Sequence, residues 1–326
     1  MDIALRNMAL DWAYQRSYNL YYIFNLPDRI RMALISYVNT MFEPGLSLLD
    51  LKIILMRQAP DNDDSNEDPS EPLPSPSSMN EGITHLDLSL SAESSIKLRE
   101  LSSLLFPTQS VSSGPLLDSW DAPESIAIPR PLLVNLTHLS LAASPETSSL
   151  SSWKQLLAFS TRLPTLTHLS LAYWPIPSLT PNATFAKVVG AQGQTFQYGG
   201  RNPYSLTLDD DWSEAILVLR KLSKNLYGLE YLDLTGCAPW ARVLTAHAHG
   251  PNAEPDLIDW VDDWGKIETL VLASGYAPPA MEEAGRVEKY KELVDTARRT
   301  ERTIRGRRAG RGRPIAVERD QDLGSH

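Results

Sequence analysis

The chain has 326 residues, 42% of them hydrophobic, and a formal charge of −10, enough apolar material for a sizeable core in one large domain or two ordinary ones. No apolar run reaches the roughly 18 residues that a membrane span needs, and Asp2 and Asp11 interrupt the stretch where a secretory signal would be cleanly apolar. Cys237 is the single cysteine, which excludes an intrachain disulfide and a thiolate zinc site and points to a reducing compartment, cytoplasmic or nuclear.

Residues 1–57 read as two or three helices, with Met8, Trp12, Leu20 and Ile23 among the buried candidates. Leu26-Pro27-Asp28-Arg29-Ile30, followed by Leu34 and Val38, sets apolar residues at helical spacing behind a proline. This spacing resembles the opening of an F-box, a small helical module that docks onto the adaptor of a ubiquitin ligase. The resemblance implies adaptor contacts by Leu26, Pro27, Ile30, Leu34 and Val38. It stops there, because the Val and Trp of the later F-box positions have no counterpart in Gly45 to Leu55. Without the resemblance, Pro27 starts a helix near N1 and Ile30, Leu34 and Val38 line its buried face, a terminal cap of the kind a repeat array needs.

Residues 58–82 follow, and from Ala59 to Gly82 they carry seven acidic residues, no basic ones, and repeated Pro and Ser. Such a composition cannot support a core, so a disordered linker is expected.

From residue 83 to 276 one hexapeptide recurs: Ile83-Thr-His-Leu-Asp-Leu88, Leu136-Thr-His-Leu-Ser-Leu141, Leu166-Thr-His-Leu-Ser-Leu171, Leu229-Glu-Tyr-Leu-Asp-Leu234 and Ile267-Glu-Thr-Leu-Val-Leu272. All five keep Leu at the last two frame positions. The frame predicts a short parallel strand with those leucines inward and the alternate residues outward at period two. One such strand cannot bury its leucines; stacked copies can. The intervals Glu93 to Phe106, Leu150 to Leu163 and Asp211 to Leu226 have apolar residues at helical spacing and supply the return segments. In the last, Trp212, Ala215, Ile216, Leu219 and Leu222 share one face, with Arg220, Lys221 and Lys224 largely off it.

These motifs resemble the leucine-rich repeat family, in particular its ribonuclease-inhibitor-like branch, over about Gly82 to Gly275. The resemblance implies an α/β solenoid with parallel strands on the concave face, helices on the convex face, and an N-terminal helical cap. The motifs start 53, 30, 63 and 38 residues apart, against roughly 20–29 in simple repeats. Degenerate repeats are therefore sought at Ser125–Pro131 and Thr195–Tyr198, where the prolines and glycines fit loops equally well. The insertions at 107–131 and 175–204 are expected on a rim.

Residues 277–297 read as a charged helix. From Arg298 to Arg313 eight arginines face the single Glu301, a local +7 that leaves −17 on the rest of the chain. Residues 298–326 are expected as a disordered arginine-rich tail, with a solvated segment, a nuclear-import signal and weak contact to nucleic acid all open. The acidic remainder disfavours nucleic acid elsewhere.

The outward positions give two columns of candidate partner-binding residues. His85, His138, His168 and Tyr231 form one; Asp87, Ser140, Ser170 and Asp233 form the other. A repeat copied together with its Thr-His-Leu explains the histidines without a ligand; partner contact and metal binding are the alternatives. Ser, His and Asp together raise the question of a nucleophilic triad, but a serine in an open strand lacks the sequestered turn and oxyanion donors such chemistry needs. No G-x-S-x-G, P-loop or dinucleotide fingerprint occurs. Asp209-Asp-Asp-Trp212 and Asp256 to Trp264 combine acids with aromatics, and a helical Trp260 and Trp264 would share a face for packing or for a basic peptide. The sequence thus predicts a protein that binds a protein partner, with no catalytic, cofactor or metal site. An F-box-type substrate receptor is the second reading and an enzyme the third.

Overall fold

All five hexapeptides form strands, each three residues long and centred on the second frame residue. A computed structural model describes residues 2–58, 75–92, 94–107, 130–145, 151–179, 186–189, 195–198, 212–246, 258–276 and 284–320. In chain order these form α1 (Asp2–Leu10), α2 (Trp12–Tyr18), α3 (Asp28–Met41), α4 (Leu48–Leu55), β1 (His85–Asp87), α5 (Leu98–Leu105), β2 (His138–Ser140), α6 (Trp153–Ser160), β3 (His168–Ser170), β4 (Ala186–Val189), β5 (Thr195–Tyr198), α7 (Ser213–Asn225), β6 (Tyr231–Asp233), β7 (Thr269–Val271), α8 (Ala284–Arg308) and β8 (Ala316–Glu318). The architecture is α/β, and the chain divides into two compact units: Met1–Asp87 with Ser95–Leu136, and Leu88–Ser94 with Thr137–His326. Among the described residues no helix is long and apolar enough to cross a membrane.

In the first unit α3 packs against α1, α4 and β1. Leu34, Ile35 and Val38 of α3 and Leu51, Ile54 and Leu55 of α4 have no exposed surface. Ser47 and Asp50 close a capping box at the start of α4, the Ser47 hydroxyl accepting from Asp50 N at 3.2 Å and the Asp50 carboxylate accepting from Ser47 N at 2.9 Å. Arg31 lies buried among these helices. Its guanidinium donates to Asn80 Oδ1 at 2.6 Å, Met79 O at 2.7 Å and Ile54 O at 3.3 Å, and also to Asp28. Asn80 Nδ2 donates in turn to Leu55 O at 2.9 Å and Pro76 O at 2.8 Å. Residues 75–82, expected as the end of a disordered linker, are therefore built into this unit, with a 3-10 turn at Ser78–Asn80. Residues 59–74 lie outside the described set, as do 125–129 of the first candidate degenerate repeat.

In the second unit β2, β3, β6, β7 and β8 run parallel in that order. His138, His168, Tyr231, Thr269 and Ala316 stand in one register row, and Ser140, Ser170, Asp233, Val271 and Glu318 in the other. The Leu88–Ser94 segment joins this unit through Leu88 N to Ser140 O at 2.9 Å and Leu90 N to Ala142 O at 2.8 Å. Inward leucines of β2, β3, β6 and β7 and their flanks, Leu139, Leu141, Leu169, Leu171, Leu232, Leu234, Leu270 and Leu272, are at most 3% exposed. Returning helix α6 packs against α7, whose Ala215, Ile216, Leu219 and Leu222 are buried while Lys221 and Lys224 face water. Thr195–Tyr198 does form a strand, but it pairs antiparallel with β4 in a separate two-stranded sheet and so is not a hidden repeat. Trp260 and Trp264 are buried with ring centroids 5.2 Å apart, held by turns rather than by the helix their spacing suggested.

The C-terminal stretch departs most from expectation. Instead of ending near 297, α8 runs to Arg308, and the chain then adds β8 beside β7, with Leu272 N donating to Glu318 O at 2.8 Å. The physical reason is a set of carbonyl acceptors for a buried cation. Arg308 is 3% exposed and donates through Nε to Trp260 O at 2.8 Å, through Nη1 to Ile267 O at 2.7 Å, and through Nη2 to Trp264 O. Burial holds its pKa below the ordinary arginine range. Arg305 and Arg319 both pair with Glu301, at 2.9 and 2.7 Å. Much of the arginine stretch is thus folded structure.

A left-handed residue follows the frame leucines in several turns: Leu90 (φ 68°), Tyr173 (φ 60°), Gly236 (φ 76°) and Gly275 (φ 71°). The Tyr173 ring covers both glycines, and its hydroxyl donates to Gly275 O at 3.0 Å. A Cβ on Gly236 would fall 2.3 Å from Tyr173 Cδ1, so Gly236→Ala combines a clash with an unfavourable φ. We expect it to cost about 1–3 kcal/mol, visible as a melting temperature roughly 2–12 °C lower; an unchanged melting curve would contradict the packing of Tyr173 on this turn.

Cys237 has no exposed surface, and burial raises its thiol pKa far above the ordinary 9.0. The folded state keeps the neutral thiol while the unfolded state ionises near pH 9.0, so this contribution to stability is intact below that pH and declines as pH rises through it. The expected result is a melting temperature that falls above pH 9.0 less steeply in Cys237→Ala than in the parent, and a thiol that reacts with a disulfide reagent only after denaturation.

Candidate functional site

The strand pattern that sends Leu139, Leu169 and Leu232 inward sends their neighbours outward, so each hexapeptide presents two side chains on one face. In β2, β3 and β6 these neighbours are half-buried. Parallel pairing in exact register stacks them. The His138 and His168 rings lie 3.9 Å apart, centroid to centroid, with 18° between planes. Tyr231 continues the stack at 5.5 Å and 17° from His168. The preceding threonine fixes each imidazole: Thr137 Oγ1 meets His138 Nδ1 at 2.8 Å, and Thr167 Oγ1 meets His168 Nδ1 at 2.8 Å. The copied Thr-His pair therefore has a physical use, which is to orient the ring.

The second row is hydrogen-bonded across strands. Ser140 Oγ and Ser89 Oγ are 2.7 Å apart. Ser170 Oγ donates to Asp233 Oδ2 at 2.7 Å, and Asp233 Oδ1 accepts from Thr235 N at 2.9 Å and Thr235 Oγ1 at 2.6 Å. Three donors hold the carboxylate in one orientation. The Tyr231 phenol is raised above its ordinary 10.0, first by burial and then by the neighbouring Asp233 and Glu318 carboxylates. The face thus offers a flat ring stack bordered by hydroxyls and by carboxylates at its β6 and β8 end.

For nucleophilic chemistry a serine must hand its proton to a base such as histidine. The Ser170 hydroxyl donates its hydrogen bond to the Asp233 carboxylate and not to a histidine. Among the described residues no three His, Cys, Asp or Glu side chains converge as a metal-ligand set.

The other sequence candidates are placed differently. His85 and Asp87 are in β1 of the first unit, His85 exposed with its Nδ1 2.7 Å from Thr84 Oγ1. Of the residues with F-box-like spacing, Leu34 and Val38 are fully buried, Leu26 and Ile30 half-buried, and Pro27 exposed. These five do not share one open face. Pro27 stands at the N-cap, one residue before α3, with an extended ψ of 145°. Ser89, Thr235 and Glu318 border the stack and were not singled out from sequence. Ser89 and Thr235 sit at the position after a frame leucine, so the period of two would have found them; Glu318 follows no leucine frame.

Removing the Asp233 carboxylate leaves Ser170 and Thr235 without their acceptor, so Asp233→Ala is expected to cost about 1–3 kcal/mol, read from urea denaturation. In Asp233→Asn the Tyr231 phenol, followed by its ultraviolet absorbance, titrates at lower pH than in the parent, because one of the carboxylates that raises it is gone. Compared with known protein families, with curated proteins and with solved structures, the chain finds no match.

Proposed function

We propose that this chain is a non-enzymatic protein-binding protein of the leucine-rich-repeat type, with its strands on a concave face that receives a protein partner. The observation that carries the reading is the pre-ordered stack of His138, His168 and Tyr231 beside Ser140, Ser170 and Asp233. Half-buried imidazoles already held by threonines lose little freedom when a partner covers them, and an aromatic group such as Tyr231 serves as a binding anchor. The setting in this reading is cytoplasmic or nuclear.

The test is capture from native extract followed by quantitative binding to the recovered protein. Tyr231→Ala with His168→Ala, verified as folded by circular dichroism, is expected to weaken binding about thirtyfold or more, in line with loss of a central aromatic anchor. Recovery of no stoichiometric protein, or identical binding by the double variant, would overturn the reading.

A second reading has the start of α3 docking a ubiquitin-ligase adaptor, favoured by the exposure of Pro27 beside half-buried Leu26 and Ile30; Leu34 and Val38 then support α3 from within. Under it the parent co-purifies with the adaptor and Leu26→Ala with Pro27→Ala does not. A parent chain that never binds the adaptor ends this reading.

A further inference from the structure

Away from the strand face, the second unit has a cavity of about 750 Å³, within the size range of small-molecule sites. One wall is the polar side of α7, with Arg220 and Lys224; the other is the last turn of α8 and its exit, with Arg307 and Arg311. Ile258 and the buried Trp260 supply apolar lining between them. The aspartates that also line it are partly engaged in the wall. Asp259 Oδ1 accepts from Val261 N at 2.7 Å and Asp262 N at 2.9 Å, and Asp263 Oδ2 accepts from Ser223 Oγ at 3.4 Å.

Arg307 is the residue that folding leaves incomplete. Its Nη2 donates to Thr245 O at 2.7 Å, while Nη1 is buried with no acceptor among the described residues. Its neighbour Arg308 spends every guanidinium nitrogen on backbone carbonyls. Burial costs Arg307 part of its hydration, seen as a lowered pKa. A buried N–H without an acceptor is unfavourable, and a turn of the guanidinium toward an anion in the cavity would give it one. Arg220, Lys224, Arg307 and Arg311 exceed Asp259, Asp262 and Asp263 by one charge, and cations on two facing walls suit an anion with several oxygens better than a single carboxylate.

We propose that this cavity binds the phosphate group of a small molecule, with the Arg307 guanidinium turning toward it and Lys224 and Arg311 adding charge at the rim. The proposal is independent of the strand-face reading, because its residues lie on α7, α8 and the 258–263 turn.

Inorganic pyrophosphate is the probe, followed by calorimetry and by thermal shift at low salt. Saturable binding at one site per chain is expected, with a raised melting temperature and an affinity that falls as sodium chloride is added. Arg307→Gln should weaken it at least tenfold, and Arg307→Lys by nearly as much because the fork is lost. Lys224→Gln and Arg311→Gln, both at exposed positions, should each weaken it several-fold; Lys289→Gln, an exposed cation near the other end of α8, should leave it unchanged. If Arg307→Gln does not fold, the two rim variants decide. Absence of saturable binding by the parent, or equal binding by the parent and the Arg307 and rim variants, overturns the proposal. Equal loss in Lys289→Gln does the same, since it would mean diffuse attraction to α8. Citrate is titrated in parallel, and tighter binding of citrate than of pyrophosphate would overturn the assignment to phosphate.

Discussion

The second unit depends on leucines from successive strands closing one apolar interior. Ordering the backbone of a three-residue strand costs about 3–6 kcal/mol, and burying its two leucines returns about the same. A lone strand therefore gains nothing. Only when β2, β3, β6, β7 and β8 share their ladder and their interior does each leucine gain neighbours on both sides. The shortness of the strands has a second effect. With two outward side chains per strand, the presented face is two residues wide, and its chemistry is set by lateral stacking rather than by anything along one strand.

How much of this was legible follows from the same constraint. The frame leucines had to be regular, so β1, β2, β3, β6 and β7 could be read from spacing, and α7 could be read from its buried face. β8 could not. Its register sets Val317 opposite Leu270, and the following Arg319 stands where the frame wants leucine, within Pro314-Ile-Ala-Val-Glu-Arg319. The length of α8 was hidden for a related reason. A run of arginines reads as solvated unless carbonyl groups converge on one of them, and the carbonyls around Arg308 belong to Trp260, Trp264 and Ile267, more than forty residues away. The left-handed Tyr173 was likewise unreadable, because tyrosine carries no signal for that conformation and only its packing on Gly236 and Gly275 accounts for it.

For the candidate site, period two gave the membership of each row, and the structure added the bonds. Ser170 and Asp233 are 63 positions apart, and nothing in either hexapeptide marks them as partners until β3 and β6 are neighbours. The histidines gained a role in the same way. A copied Thr-His pair looks like an accident of duplication, whereas in place the threonine sets the ring angle and lets adjacent imidazoles lie face to face. Which rings stack depends on strand order, and His85 belongs to the other unit.

The position of β8 has a consequence for the margin of this sheet. A parallel strand left at a sheet margin offers its unpaired amide and carbonyl groups to any other chain, and proteins protect such margins with short, charged segments. β8 supplies that protection for β7: three residues long, flanked by arginine and acid, and tethered by the Arg319–Glu301 pair and by Ser274 N donating to Asp320 Oδ2 at 2.7 Å. Tags or cuts near residue 316 would therefore do more than trim an end. They would uncover the unpaired backbone of β7 and invite self-association, although none of the frame leucines had been touched.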